Sequence, residues 1–187
     1  MPREYIVLVA GPMGAGKTTA IAALSEIPVV LTEAVNTDQA RHAKATTTVA
    51  LDYGEISLGD GDKVRLYGVP GQDRFDFMWR ILEKRSLGMM LLIDNGATDP
   101  LSDLERYLHH FDTLGARSAL VVGVTRRDQG GTPPMEAYHA RLGRLGRVLP
   151  VFSVDARNAA QVRTMLGALI AMVEAKAAAR AHAGAVA

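Results

Sequence analysis

Residues 5–24 read Tyr5-Ile-Val-Leu-Val-Ala-Gly-Pro-Met-Gly-Ala-Gly-Lys-Thr-Thr-Ala-Ile-Ala-Ala-Leu24. An apolar run of strand length enters a glycine-rich turn and leaves it as a helix-compatible stretch. Such an unbroken run marks a strand buried on both faces, the kind found inside parallel sheets. Between the two elements, Gly11 to Thr18 fits G-x-x-x-x-G-K-[ST], the phosphate-cradling P-loop. Glycines let successive N–H groups turn inward, and the helix that follows adds unpaired amides and the positive end of its dipole. Gly11, Gly14, Ala15, Gly16, Lys17, Thr18 and Thr19 are therefore the candidate phosphate contacts. Lys17 reaches the β and γ phosphates of a nucleoside triphosphate, and the Thr18 hydroxyl is a candidate ligand for Mg²⁺.

Outward from this unit, strand and helix signals alternate. Thr48-Val-Ala-Leu-Asp-Tyr53 and Lys63-Val-Arg-Leu-Tyr67 alternate in strand fashion, and Asp60-Gly61 between them is a hairpin signal. Val29-Val-Leu31 suggests a short extra strand inside a long loop that runs to about Thr47. Met89-Met-Leu-Leu-Ile93 and Ala119-Leu-Val-Val-Gly-Val124 read as buried strands, with Leu149-Pro-Val-Phe152 a last short one. Asp99-Pro100 begins a helix as N-cap and first residue, carries Leu101, Leu104, Leu108 and Phe111 on one face, and stops at Gly115. Thr132-Pro133 opens a shorter helix. The final helix has Val162, Leu166, Leu169 and Val173 at helical spacing. The expected fold is α/β, a P-loop NTPase sheet of six strands, mostly parallel, with one antiparallel edge strand and helices on both faces. Residues 1–174 form that domain. Residues 175–187 are an Ala-rich tail that extends the last helix and then frays.

The chain has 187 residues, 48% of them hydrophobic and 22% charged, as for an ordinary globular domain. A net charge of +1 gives no basic field of the kind nucleic-acid binders carry. Cysteine is absent, which removes disulfides, thiolate metal sites and lipid attachment to sulfur. The start, Met1-Pro2-Arg3-Glu4, shows no secretory pattern and no myristoylation glycine. The expectation is a cytoplasmic protein without a direct lipid anchor.

Downstream segments give the loop its context. Leu66-Tyr-Gly-Val-Pro-Gly-Gln-Asp-Arg-Phe75 resembles the second switch of small GTPases, usually D-x-x-G-Q. Thr48 stands ahead of an alternating strand, as the first-switch threonine does. Val124-Thr-Arg-Arg-Asp128 is similar to N-K-x-D, and Ser153-Val-Asp-Ala-Arg157 to the S-A-K element. Together with Thr46 to Gly54 these resemble prokaryotic Ras-like GTPases, relatives of the gliding-motility polarity GTPase and of roadblock-associated GTPases. The resemblance implies a GTP/GDP switch with slow hydrolysis, dependent on Mg²⁺ and controlled by partners of the roadblock/LC7 type. It also implies roles. Gly71 donates its amide to the γ-phosphate, Gln72 orients the attacking water beside catalytic Lys17, and Thr18 and Thr48 hold the metal. Thr125, Arg126, Asp128, Asp155, Ala156 and Arg157 surround the base, with Asp128 accepting from guanine.

The pattern departs from the family in two places. Gly68 replaces the aspartate that helps hold Mg²⁺, and Asp94 is a substitute on the expected neighbouring strand, unless it only starts a turn with Asn95-Gly96. Thr125 and Arg126 replace asparagine and lysine. Thr125 lacks the amide that bridges to the P-loop, whereas Arg126 keeps a flat surface for stacking. Arg41, Arg74 and Arg80 are arginine-finger candidates, each weighed against a plain surface charge. Phe75, Phe77 and Trp79 mark either an effector surface or helix packing. His109-His110 reads as a solvent-facing pair, Arg141 to Arg147 as a helix face and turn, and Met89 and Met90 as core. Two further readings stay open: a pseudo-GTPase that signals by occupancy alone, and an ATP-using P-loop protein.

Overall fold

The computed structural model describes residues 2–35, 48–69, 85–115, 119–129 and 132–184. Among them, one seven-stranded sheet runs β2-β3-β4-β1-β5-β6-β7. The strands are β1 (Glu4–Ala10), β2 (Val30–Val35), β3 (Thr48–Ser57), β4 (Lys63–Gly68), β5 (Ser86–Asp94), β6 (Ala119–Thr125) and β7 (Val151–Ser153). Strand β1 lies parallel to β4 and β5, and β5-β6-β7 continue parallel. Strand β3 is antiparallel to both β4 and β2. The sheet thus holds one strand more than the six expected, because the extra strand suggested at Val29–Leu31 extends to Val35. Its pairing with β3 moves the single reversed strand away from the edge.

Four helices among the described residues flank the sheet: α1 (Lys17–Leu24), α2 (Pro100–Gly115), α3 (Met135–Arg144) and α4 (Ala159–Gly184). Side chains alternate across a strand, so each central strand feeds two cores. Val7 and Val9 of β1 join Ile21 and Leu24 of α1 and Val162, Met165 and Leu169 of α4. Leu8 and Ala10 join Leu104, Leu108 and Phe111 of α2 and Tyr138 and Leu142 of α3. Met89 and Met90 are both buried, one in each core. From β1 the chain passes through α1 to the β2-β3-β4 side of the sheet, and after β4 it resumes at β5 on the other side of β1. Its carboxyl end is therefore a topological switch point, where α/β sheets open a crevice. The P-loop sits there.

Local signals explain the element ends. Asp99 Oδ1 accepts from the Ser102 amide at 2.9 Å and caps α2, a contact typically worth about 1 kcal/mol. Helix α3 begins at Met135 rather than at Thr132–Pro133. A residue before proline is pushed out of helical φ/ψ, and Pro133 precedes Pro134. Asn158 caps α4, its Oδ1 accepting from Ala160 and Gln161. That helix continues without a break through the Ala-rich stretch to Gly184. Arg141 pairs with Glu105 and Arg147 with Asp112, which ties the basic run to α2. No helix among the described residues is long and apolar enough to cross a membrane.

Candidate functional site

The P-loop shows the backbone its glycines were expected to provide. Gly11, Gly14 and Gly16 all have positive φ, at 140°, 84° and 92°. A Cβ on Gly11 would lie 2.0 Å from the Leu92 carbonyl oxygen, and one on Gly16 would lie 2.9 Å from Ala156 Cβ. Close approach to β5 and to the 153–157 loop therefore requires glycine at both positions. Gly16 occupies the N-cap of α1 without a side-chain cap. The first amides of the helix are left for a ligand, the arrangement that holds anions.

Lys17 curls over this loop, its Nζ donating to the carbonyls of Gly11 and Pro12 at 2.9 Å each. Burial pushes its pKa below the ordinary value, and the Asp52 carboxylate works in the opposite direction. The Thr18 hydroxyl donates to Asp52 Oδ2. Asp52 lies on β3 directly opposite Gly68 of β4. It carried no role in the sequence reading.

The other half of the site comes from the carboxyl ends of β6 and β7. Thr125, only 3% exposed, donates through Oγ1 toward the carbonyls of Ala15 at 3.1 Å and Ile93 at 3.2 Å. The expectation that this threonine cannot bridge to the P-loop is corrected here. A hydroxyl suffices because the Ala15 carbonyl comes within its shorter reach. Arg126, in a left-handed conformation at φ 56°, pairs with Asp94 Oδ2 at 2.8 Å. Asp94 Oδ1 accepts from the Gly96 amide. Both oxygens are thus engaged, and the Asp94 Oδ1–Gly96 bond is the turn that the sequence allowed there. Below it, the buried Asn95 accepts from Tyr138 Oη at 2.7 Å. Burial raises that phenol to about 12.

Asp155 accepts from the Arg157 backbone amide and from both Nε and Nη2 of its guanidinium. Those bonds hold the Asp155 carboxyl below its usual range. Arg157 Nη2 also stands 4.0 Å from Asp128 Oδ2. Gln161 of α4, another residue without a role in the sequence reading, fixes the same loop by accepting from the Asp155 amide at 2.7 Å.

These parts enclose one cleft of about 500 Å³, lined by Ala15, Gly16 and Thr19 on one side and Asp128, Asp155, Ala156 and Arg157 on the other, with Thr125 and Arg126 between them. The structure thus gathers the P-loop, the Thr125–Asp128 segment and the 153–157 loop. Thr48 contributes the first backbone position of β3, paired with Val35. Gly71, Gln72, Arg41, Arg74, Arg80, Phe75, Phe77 and Trp79 lie outside the described residues. His109 is exposed, whereas the ring of half-buried His110 packs edge-on to Phe111, so the two do not form a solvent-facing pair.

A family model described as "Conserved hypothetical ATP binding protein" matches residues 9–128, from the end of β1 through Asp128. The chain is also similar to intraflagellar transport protein 22 of Chlamydomonas reinhardtii, with 30% identity over 131 residues. That alignment covers 67% of this chain and 64% of the relative, so the chain spans less than two thirds of that protein's length.

Proposed function

The chain belongs to the P-loop family described as conserved hypothetical ATP binding protein, and from that premise we propose that it is a small Mg²⁺-dependent GTP/GDP switch with slow intrinsic hydrolysis. One observation carries the reading. A single cleft joins the P-loop to the carboxylate of Asp128, and the Thr125 hydroxyl ties the two ends together. A triphosphate laid along α1's amino end brings its base to Asp128 and Ala156. A carboxylate there accepts from guanine N1–H and the 2-amino group, which adenine cannot offer. The Ala156 amide then reads the carbonyl at position 6.

Lys17 neutralises phosphate charge, and the Thr18 hydroxyl with Thr48 supplies oxygen ligands of the hard type that Mg²⁺ takes. Bound there, the metal would neutralise charge between the β and γ phosphates. Gln72 orients the attacking water, Gly71 senses the γ-phosphate, and hydrolysis releases both switch segments. Partner proteins, including one of the roadblock/LC7 type, read those segments. Similarity to an intraflagellar transport protein is consistent with a role exerted through other proteins.

The family's description favours a second reading, with ATP as ligand. Competition of ATP and GTP for a fluorescent guanine nucleotide separates the two, since a site built to hydrogen-bond its base rejects the wrong one strongly. Equal affinity ends the guanine reading. Phosphate release compared with Gln72→Ala, alone and with partners, tests turnover. Tight GTP binding with no release above the variant under any condition would leave a pseudo-GTPase.

A further inference from the structure

We propose that Asp52 carries the metal-site carboxylate of this protein, transferred across the β3–β4 ladder from position 68, where the family pattern has it. The proposal rests on the Mg²⁺-dependent reading above. Three observations converge on Asp52.

Asp52 and Gly68 are directly opposed in an antiparallel pair, so their side-chain directions share one face of the sheet. A Cβ built on Gly68 would lie 2.9 Å from Asp52 Cβ, 3.1 Å from Asp52 Oδ2 and 3.0 Å from Ile21 Cδ1. The two positions therefore compete for one volume. A side chain at 68 excludes the present Asp52 rotamer, and Asp52 in this rotamer requires glycine at 68.

The third observation is chemical. Thr18 gives its only hydroxyl proton to Asp52 Oδ2, so its oxygen presents lone pairs alone in every other direction. A hard divalent cation takes such an oxygen, and a carboxylate beside it orients the ligand and the metal's waters. Asp94, the other candidate, has both oxygens committed to Arg126 and Gly96.

The test is release of a fluorescent GDP from purified full-length protein, measured across a Mg²⁺ titration, with Mn²⁺ paramagnetic resonance as a direct probe of metal binding. Outer partners of metal ligands typically contribute about 10- to 100-fold in metal affinity. Asp52→Asn is expected to raise the Mg²⁺ concentration for half-maximal retention by about that factor. Gly68→Asp alone, with two carboxylates in one volume, is expected to lower the melting temperature. Asp52→Gly combined with Gly68→Asp returns the carboxylate to the family position, and is expected to recover most of the Mg²⁺ sensitivity.

An Asp52→Asn protein that folds and keeps the wild-type Mg²⁺ dependence overturns the proposal. If that variant does not fold, the double variant decides: a folded double variant with no Mg²⁺ sensitivity overturns it equally. Wild-type protein that binds neither GDP nor Mn²⁺ refutes the switch reading itself, and the proposal with it. That outcome is visible before any substitution is made.

Discussion

Replacing Thr125 with valine removes one hydroxyl from a buried position while keeping the side chain's shape. In the native structure that hydroxyl serves two carbonyls, Ala15 at 3.1 Å and Ile93 at 3.2 Å. It has one proton, so the net loss is about one hydrogen bond, typically about 1 kcal/mol. A buried carbonyl left without its partner adds desolvation cost, for a total of about 2 kcal/mol. For a chain of this size that is a fall of about 4–8 °C in Tm. The functional effect is larger in kind, because the Ala15 carbonyl belongs to the loop that must hold phosphate. Loss of its anchor is expected to weaken GDP binding about tenfold, equivalent to about 1.4 kcal/mol. Thr125→Ser keeps the hydroxyl and loses a methyl, so it costs stability without the affinity. Calorimetric melts and fluorescent-GDP titrations on both variants give the comparison. If valine keeps wild-type affinity, or serine loses as much as valine, the bridge has no part in holding the loop.

Other perturbations follow from the same geometry. Burial holds the Lys17 ammonium below its ordinary 10.5. Between that lowered value and 10.5 the unfolded chain binds more protons than the folded one, so this residue makes stability rise with pH there. Lys17→Met is expected to remove that rise, to stabilise the ligand-free protein near neutral pH, and to abolish triphosphate binding; urea titrations across the window check the first two. Tyr138→Phe leaves the buried Asn95 oxygen without its donor and is expected to cost about 1–3 kcal/mol, read by chemical denaturation. In the native protein this phenol keeps its proton up to about 12, against 10.0 ordinarily. The folded state binds more protons in that interval, so stability falls as pH rises through it, which tyrosinate absorbance follows. Arg157→Ala removes the cation between Asp155 and Asp128. Both its partners are largely solvent-exposed, so the effect is modest, up to about fivefold in the GTP-to-ATP affinity ratio and smaller at high salt.

The gross fold was legible because it rests on patterns with few alternatives. Apolar runs such as Val7 to Ala10 and Met89 to Ile93 bury on both faces and admit little but a central parallel sheet. Asp99-Pro100 and Gly115 bounded α2 for reasons contained in those residues alone. The start of α3 was misplaced because two adjacent prolines act together, the second restricting the first. Thr125 was underrated for a different reason. Whether a short hydroxyl can replace a longer amide depends on how close the P-loop carbonyl comes, and spacing along the chain carries no such distance.

The loss of the aspartate at position 68 was visible in the sequence, but its compensation was not, and the obstacle was register. A two-residue Asp60-Gly61 turn would close on Gly59 and Asp62 and place Tyr53 opposite Gly68. The observed loop has three residues, Gly59–Gly61, with the Leu58 amide donating to the Asp62 carbonyl at 2.7 Å. Asp60 and Gly61 take positive φ, at 63° and 83°. That single added residue moves the pairing by one and exchanges the faces of β3. Asp52, not Tyr53, then opposes Gly68 and meets Thr18. A hairpin at the far end of the sheet thus sets which side chain reaches the P-loop. Deleting Leu58 while keeping the Gly59–Gly61 loop closes the hairpin on Ser57 and Asp62, places Leu51 opposite Gly68, and is expected to abolish the Thr18–Asp52 contact and to weaken Mg²⁺-dependent nucleotide retention as Asp52→Asn does. If that deletion folds with wild-type Mg²⁺ dependence, the hairpin does not govern this register.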